Sequence, residues 1–181
     1  MNFQELTERL MAHRRLLLRG DVDGPKEDII ATAMLLLDLE SSEPIRLDID
    51  SGGGDADAAR YLCDVIRSLR SPVIGVVVGC ASSAAFTILQ ACDERIALPN
   101  ARLMFHPVSS KVAVDQPDLR FRIAHAKRLH EQNLLELSAR SKQSLKKLRQ
   151  WSRMERRYHA QEALELGFID RIEYPVPKVS R

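Results

Sequence analysis

Cysteine is scarce: Cys63, Cys80 and Cys92 are the three in 181 residues. They lack metal-ligand spacing, and the expectation is buried free thiols in a reducing cytoplasm. No apolar run approaches the roughly 20 residues that a membrane-spanning helix needs, so no membrane contact is expected. The start, Met1-Asn2-Phe3-Gln4-Glu5-Leu6, lacks the basic-then-apolar pattern of a secretory leader. No Gly-x-x-x-x-Gly-Lys phosphate loop occurs, so ATP hydrolysis by this chain itself is not expected. No linker or low-complexity segment divides the chain, apart from the last few residues after Tyr174. A hydrophobic content of 45% and a charged content of 29% are ordinary for a soluble protein, and a single domain over residues 1–181 follows. No cofactor or metal is expected.

The net charge of +2 hides an asymmetry. Residues 1–60 carry 13 acidic and 7 basic side chains, whereas residues 118–157 carry 12 basic and 4 acidic ones. A basic stretch raises nucleic acid as a partner. However, Lys142, Lys146, Lys147 and Arg149 fall at helical spacings beside Leu145 and Leu148. That pattern describes a solvated helix face, or charge matching between subunits, and no nucleic acid is expected.

Strand and helix signals alternate through the first half. Residues 14–19, 45–50 and 73–78 read as strands, and the last of these, Val73-Ile74-Gly75-Val76-Val77-Val78, as one buried on both faces. Residues 26–39 read as a helix with Ile29, Ile30, Ala33, Leu36 and Leu37 on one face. Residues 58–69 follow with Tyr61, Leu62, Val65 and Ile66, and residues 83–91 complete the third unit. The first 13 residues also look helical, with Phe3, Leu6 and Leu10 on one side. After His106 comes a polar or weakly β-forming stretch over 111–117. A long helix over 118–140 carries Leu119, Ile123, Ala126, Leu134 and Leu137 at helical intervals. Shorter helices over 144–151 and 160–167, the latter ended by Gly167, precede a last strand around 168–172. The alternation predicts an α/β fold with a mostly parallel sheet and right-handed crossovers, whose site clusters at the carboxyl ends of the strands.

Residues 73–106 carry the chemistry. The small residues Gly79-Cys80-Ala81-Ser82-Ser83-Ala84-Ala85 let a helix start close against the third strand, with a serine oxygen at its positive end. A serine in that position is most often only a cap, and an isolated histidine is most often structural. The wider context decides between these readings. Gly79-x-Ala81-x-Ser83-Ala84-Ala85, Leu98-Pro99-Asn100-Ala101, Met104-Phe105-His106-Pro107, Asp50-Ser51-Gly52-Gly53-Gly54 and the run from Ala160 to Asp170 occur in order. Together they resemble the Clp protease proteolytic subunit (ClpP) family, of the ClpP/crotonase fold, over about residues 14–173.

The resemblance implies repeated β-α units with a mostly parallel sheet and a protruding helical handle over about 107–140. It implies a serine endopeptidase that cuts unfolded polypeptides inside a homo-oligomeric chamber of stacked, seven-membered rings, with an AAA+ unfoldase ATPase as partner. Ser83 stands at the family's nucleophile position. His106, 23 positions later, stands at that of the general base. Gly53 and Gly54, unobstructed by side chains, offer backbone N–H groups for an oxyanion hole with the N–H of Ala84. Ser82 is assigned to packing or capping. His13, His125, His130 and His159 match no catalytic position and are given solvated or packing roles.

Several features depart from the family. Glu155 aligns with its catalytic aspartate, and two readings stay open: the third member of a triad, or a surface carboxylate paired with Arg153, Arg156 or Arg157. The family's acidic–basic pair before that position is replaced by Arg153 and Met154, and only about 13 residues precede Arg14. A catalytically weak paralogue in a mixed ring is therefore the alternative function. A crotonase-type acyl-CoA enzyme is the third, and the serine–histidine pair argues against it.

Overall fold

The computed structural model describes residues 3–107 and 119–174. Among these, β1 (Arg15–Val22), β2 (Ile45–Gly54), β3 (Val73–Ser82), β4 (Glu94–Ala97) and β7 (Arg171–Ile172) form, in that order, a parallel sheet. The crossovers are α2 (Pro25–Glu40), α3 (Ala56–Ser68) and α4 (Ala84–Ala91). β3 forks: residues 74–77 pair with β4, while Cys80, Ala81 and Ser82 pair with β5 (Arg102–Phe105). β5 in turn takes β6 (Arg156–His159) as an antiparallel neighbour. α1 (Phe3–Met11), α5 (Leu119–Arg140), α6 (Leu145–Trp151) and α7 (Ala160–Leu166) bring the described helices to seven. The expected mixed α/β architecture with a mostly parallel sheet is what forms.

The helix faces correct two expectations. α2 buries Ile30, Ala33, Met34 and Leu37, the i, i+3, i+4, i+7 stripe, and leaves Ile29 and Leu36 exposed. The helix is apolar nearly all round, so its sequence alone did not select the inward stripe. In α3 the inward face is Ala59, Leu62, Cys63 and Ile66, and Tyr61 is exposed. On α5 burial is confined to Leu129, Leu134 and Leu137, whereas Phe121 and Ile123 are exposed. β4 and β6 were not anticipated; four residues each give too little alternation to read as strands. The stretch 111–117 and the tail after Tyr174 lie outside the described residues.

α4 is the centre of the molecule, with all eight residues buried. Beside it, Phe86 stacks on Phe105 at 5.6 Å and Phe105 on Tyr158 at 5.8 Å, with Phe168 edge-on to all three. This cluster anchors β5 and β6 to α4, so the end of β5 is held against the start of α4.

Candidate functional site

Ser83 sits between the last residue of β3 and the first of α4. Its backbone is at φ 54, ψ −119, a conformation rarely adopted by a residue with a side chain. The sharp turn is locked by the Ser83 N–H donating to the Met104 carbonyl at 2.8 Å. Because β3 and β5 pair Ser82 with Met104, His106 emerges beside Ser83 despite the 23 positions between them. His106 Nε2 lies 2.8 Å from Ser83 Oγ. Strand register thus brings a hydroxyl and an imidazole to hydrogen-bonding distance at the positive end of α4.

The glycine turn closes the opposite wall. A Cβ on Gly53, at φ 97, would sit 2.5 Å from the Ser82 carbonyl oxygen, 2.7 Å from Ser83 Cβ and 2.9 Å from Ala84 N. A Cβ on Gly54 would sit 2.2 Å from the Val22 carbonyl oxygen. Both positions therefore exclude any side chain, and the β2 end packs directly on the Ser83 turn. The Gly53 N–H donates to Ser51 Oγ at 3.1 Å, and Ser51 is buried. Gly79 is explained in the same way, since a Cβ there would meet Asp50 Oδ1 at 2.2 Å.

A cleft of about 960 Å³ opens over these groups, lined by Gly54, Ser83, Ala84 and His106 on the sheet side and by α5 opposite. Glu155 is on the turn before β6. Phe105 pairs with Arg156, so one more step along the two strands reaches His106 and Glu155. The Glu155 side chain is 65% exposed and its carboxylate lies 3.8 Å from Arg157. Among the described residues it makes no hydrogen bond to His106. The structure thus joins two of the three expected triad positions and leaves the third in its surface arrangement.

A family model described as Clp protease matches residues 1–175. The chain belongs to the Clp protease family. It is 33% identical over 172 residues to the ATP-dependent Clp protease proteolytic subunit 3 of Synechococcus sp. (strain CC9605), covering 93% of this chain and 86% of that protein. It is 30% identical over 181 residues to subunit 2 of Thermobifida fusca (strain YX), covering 98% and 89%.

Within this Clp-family chain, His125 and His130, expected in solvated or packing roles, line the same cleft as Ser83. His125 on α5 pairs with Asp57 at the start of α3 at 2.8 Å. His130 Nε2 is 3.1 Å from Ser152 Oγ. Since that hydroxyl is also placed to donate to the Arg149 carbonyl, the imidazole N–H is the donor. Burial, and secondarily the nearby His106, push the His130 pKa down, although Glu131 opposes the shift. No spacing rule reveals either contact, because both depend on how α5 packs against other elements. His159 is exposed and stands at the N-cap position of α7 without a side-chain capping bond. Cys63 and Cys92 are buried, and burial pushes the Cys63 thiol up to about 12 and the Cys92 thiol higher. Cys80 is only half-buried. No described helix is long and apolar enough to cross a membrane.

Proposed function

We propose that this chain is a serine-type endopeptidase, a single domain that cuts unfolded polypeptides inside a homo-oligomeric chamber. The observation that carries the reading is the 2.8 Å contact between His106 Nε2 and Ser83 Oγ at the head of a buried helix. His106 takes the proton of Ser83 as Oγ attacks the peptide carbonyl carbon. The C–O bond forms, the carbonyl electrons move to oxygen, and on collapse the C–N bond breaks while His106 returns the proton to the leaving amine. Water, deprotonated by His106, then releases the acyl group from Ser83.

The developing oxyanion needs backbone donors already in place. The N–H of Ala84, in the unpaired first turn of α4, is one. For the other, the geometry favours Gly54 over Gly53. Gly53 already donates to Ser51 Oγ, whereas Asp55 N–H bonds to Val22 on the β1 side. Alternation along the strand then turns the Gly54 N–H toward the cleft it lines. Gly53 contributes by bearing no side chain. Glu155 is the proposed acid that orients His106, supported by its register next to Arg156.

The names of the relatives, ATP-dependent Clp protease proteolytic subunits, support a ring assembly served by a separate ATPase. Two stacked rings of seven are proposed. The second reading, a catalytically weak member of a mixed ring, is favoured by one observation, the Glu155 carboxylate beside Arg157. A fluorophosphonate probe decides between them. Labelling at Ser83, lost in Ser83→Ala, is expected; absence of labelling in a correctly assembled protein favours the second reading. Light scattering that finds a strict monomer at micromolar concentration overturns the chamber.

A further inference from the structure

Glu27 is fully buried, 0% exposed, in the first turn of α2. Its Oε2 accepts the N–H groups of Asp23 and Gly24, each at 2.9 Å. Among the described residues its Oε1 has no hydrogen-bond partner. Capping a helix does not require such burial, because a serine or aspartate at the cap position does it at the surface. Here the cap position is Gly24, at φ 87, and the carboxylate instead reaches back from inside to tie down the turn. An orphaned buried carboxylate oxygen is a cost that calls for a reason.

The tethered turn follows directly on Val22, the last residue of β1. Val22 pairs with Gly54, and its carbonyl accepts the Asp55 N–H at 2.8 Å. The same oxygen is 2.2 Å from where a Cβ on Gly54 would stand, so backbone lies on backbone with no side chain between them. Gly54 in turn lines the cleft with Ser83. A contact chain thus runs from Glu27 through Asp23–Gly24 and Val22 to Gly54. We propose that Glu27 is a positioning residue for the peptidase reaction: its buried carboxylate holds the end of β1 so that Gly54 presents its N–H to the oxyanion. The inference rests on Gly54 being an oxyanion donor of a serine peptidase. Charge-assisted bonds to two successive N–H groups suit this task, being short and stiff.

The test uses the full-length assembled protein, a peptide substrate and a peptide boronic acid, whose tetrahedral serine adduct engages the oxyanion donors. The wild type binds the boronate and Ser83→Ala does not. Glu27→Ala lowers kcat and boronate affinity together by roughly tenfold or more and leaves KM nearly unchanged, as expected for a small misplacement of a donor. Glu27→Gln keeps the volume and one acceptor but loses the charge, and lowers both by roughly threefold. In the glutamine variant the Asp55 amide, which is bonded to the Val22 carbonyl, exchanges hydrogen faster, while those of α4 do not change. Should the alanine variant fail to fold, the glutamine variant carries the test. Unchanged kcat and boronate affinity in the glutamine variant, or a lower melting temperature with only KM altered, overturns the role of Glu27 and leaves the peptidase standing. A wild type that neither binds the boronate nor cuts peptide overturns the peptidase reading, and this role with it.

Discussion

The two flanks of the Ser83–His106 pair are built in opposite ways. On the flank proposed to hold the oxyanion, Gly53 and Gly54 lie backbone-to-backbone against the Ser83 turn and Val22, with no room for a methyl group. Everything there belongs to the parallel sheet or to the wholly buried helix α4. On the acid flank, Glu155 sits on a turn between α6 and β6, 65% exposed, among Arg153, Arg156 and Arg157. The first flank is shaped by the same packing that makes the domain fold, so its geometry costs nothing further at the moment of reaction. The second depends on where one flexible side chain points. In the proposed mechanism the site is therefore rigid where charge would develop and loose where the base would be oriented.

Substitutions on the two flanks should separate accordingly. The largest effect is expected for Ser83→Ala, which removes the proposed nucleophile: peptide hydrolysis falls to background while the melting temperature and oligomer size hold. Ser82→Ala, in the neighbouring strand position, should keep most of the rate; the reverse pattern overturns the assignment. Gly53→Ala comes next. A Cβ there meets backbone atoms at 2.5 and 2.9 Å, and φ 97 strains any side chain. Activity should be lost together with about 2 kcal/mol or more of stability, read by denaturant titration. If Gly53→Ala is active and as stable as the wild type, the oxyanion flank is not the rigid one.

Much of this is legible in the sequence itself. The buried run Val73–Val78 and the small residues after it mark the strand-to-helix turn, because a close helix start admits only small side chains there. The motif around His106 marks a second strand end, and the register of Ser82 with Met104 makes the two meet. What stayed hidden depends on packing between distant elements. The strain at Ser83, the buried carboxylate of Glu27, and the contact of His130 with Ser152, 22 positions away, leave no periodic trace. The inward faces of α2 and α3 differ from the expected ones for the same reason. With apolar residues nearly all round α2, only the sheet decides which stripe it covers.

Glu155→Gln probes the loose flank directly. In a rigid triad the loss of the acid costs up to about 10⁴ in turnover. A glutamate placed 3.8 Å from Arg157 and not bonded to His106 would orient the imidazole less completely, so a fall of roughly 10- to 100-fold is expected, with the melting temperature unchanged. Glu155→Asp, which keeps a carboxylate on the same turn, should retain activity. Wild-type turnover in the glutamine variant removes Glu155 from the mechanism and leaves a Ser83–His106 dyad.

Arg157→Ala is the smallest and sharpest of these tests. The Arg157–Glu155 pair spans 3.8 Å between side chains 68% and 65% exposed. Exposed pairs of this kind contribute well under about 1 kcal/mol, so freeing Glu155 shifts its preference only slightly toward His106. Turnover should rise by no more than about threefold, a ceiling set by that weak attraction. Two controls tie the gain to Glu155. Raising the salt concentration screens the same pair, so the wild-type rate should climb toward that of the arginine variant. In the Glu155→Gln background, Arg157→Ala should change nothing, because there is no carboxylate left to release. If the gain persists in that background, Arg157 acts on substrate or assembly instead. If turnover falls, the pairing with Arg157 holds the turn in its working form, and the acid flank is as firmly built as the oxyanion flank.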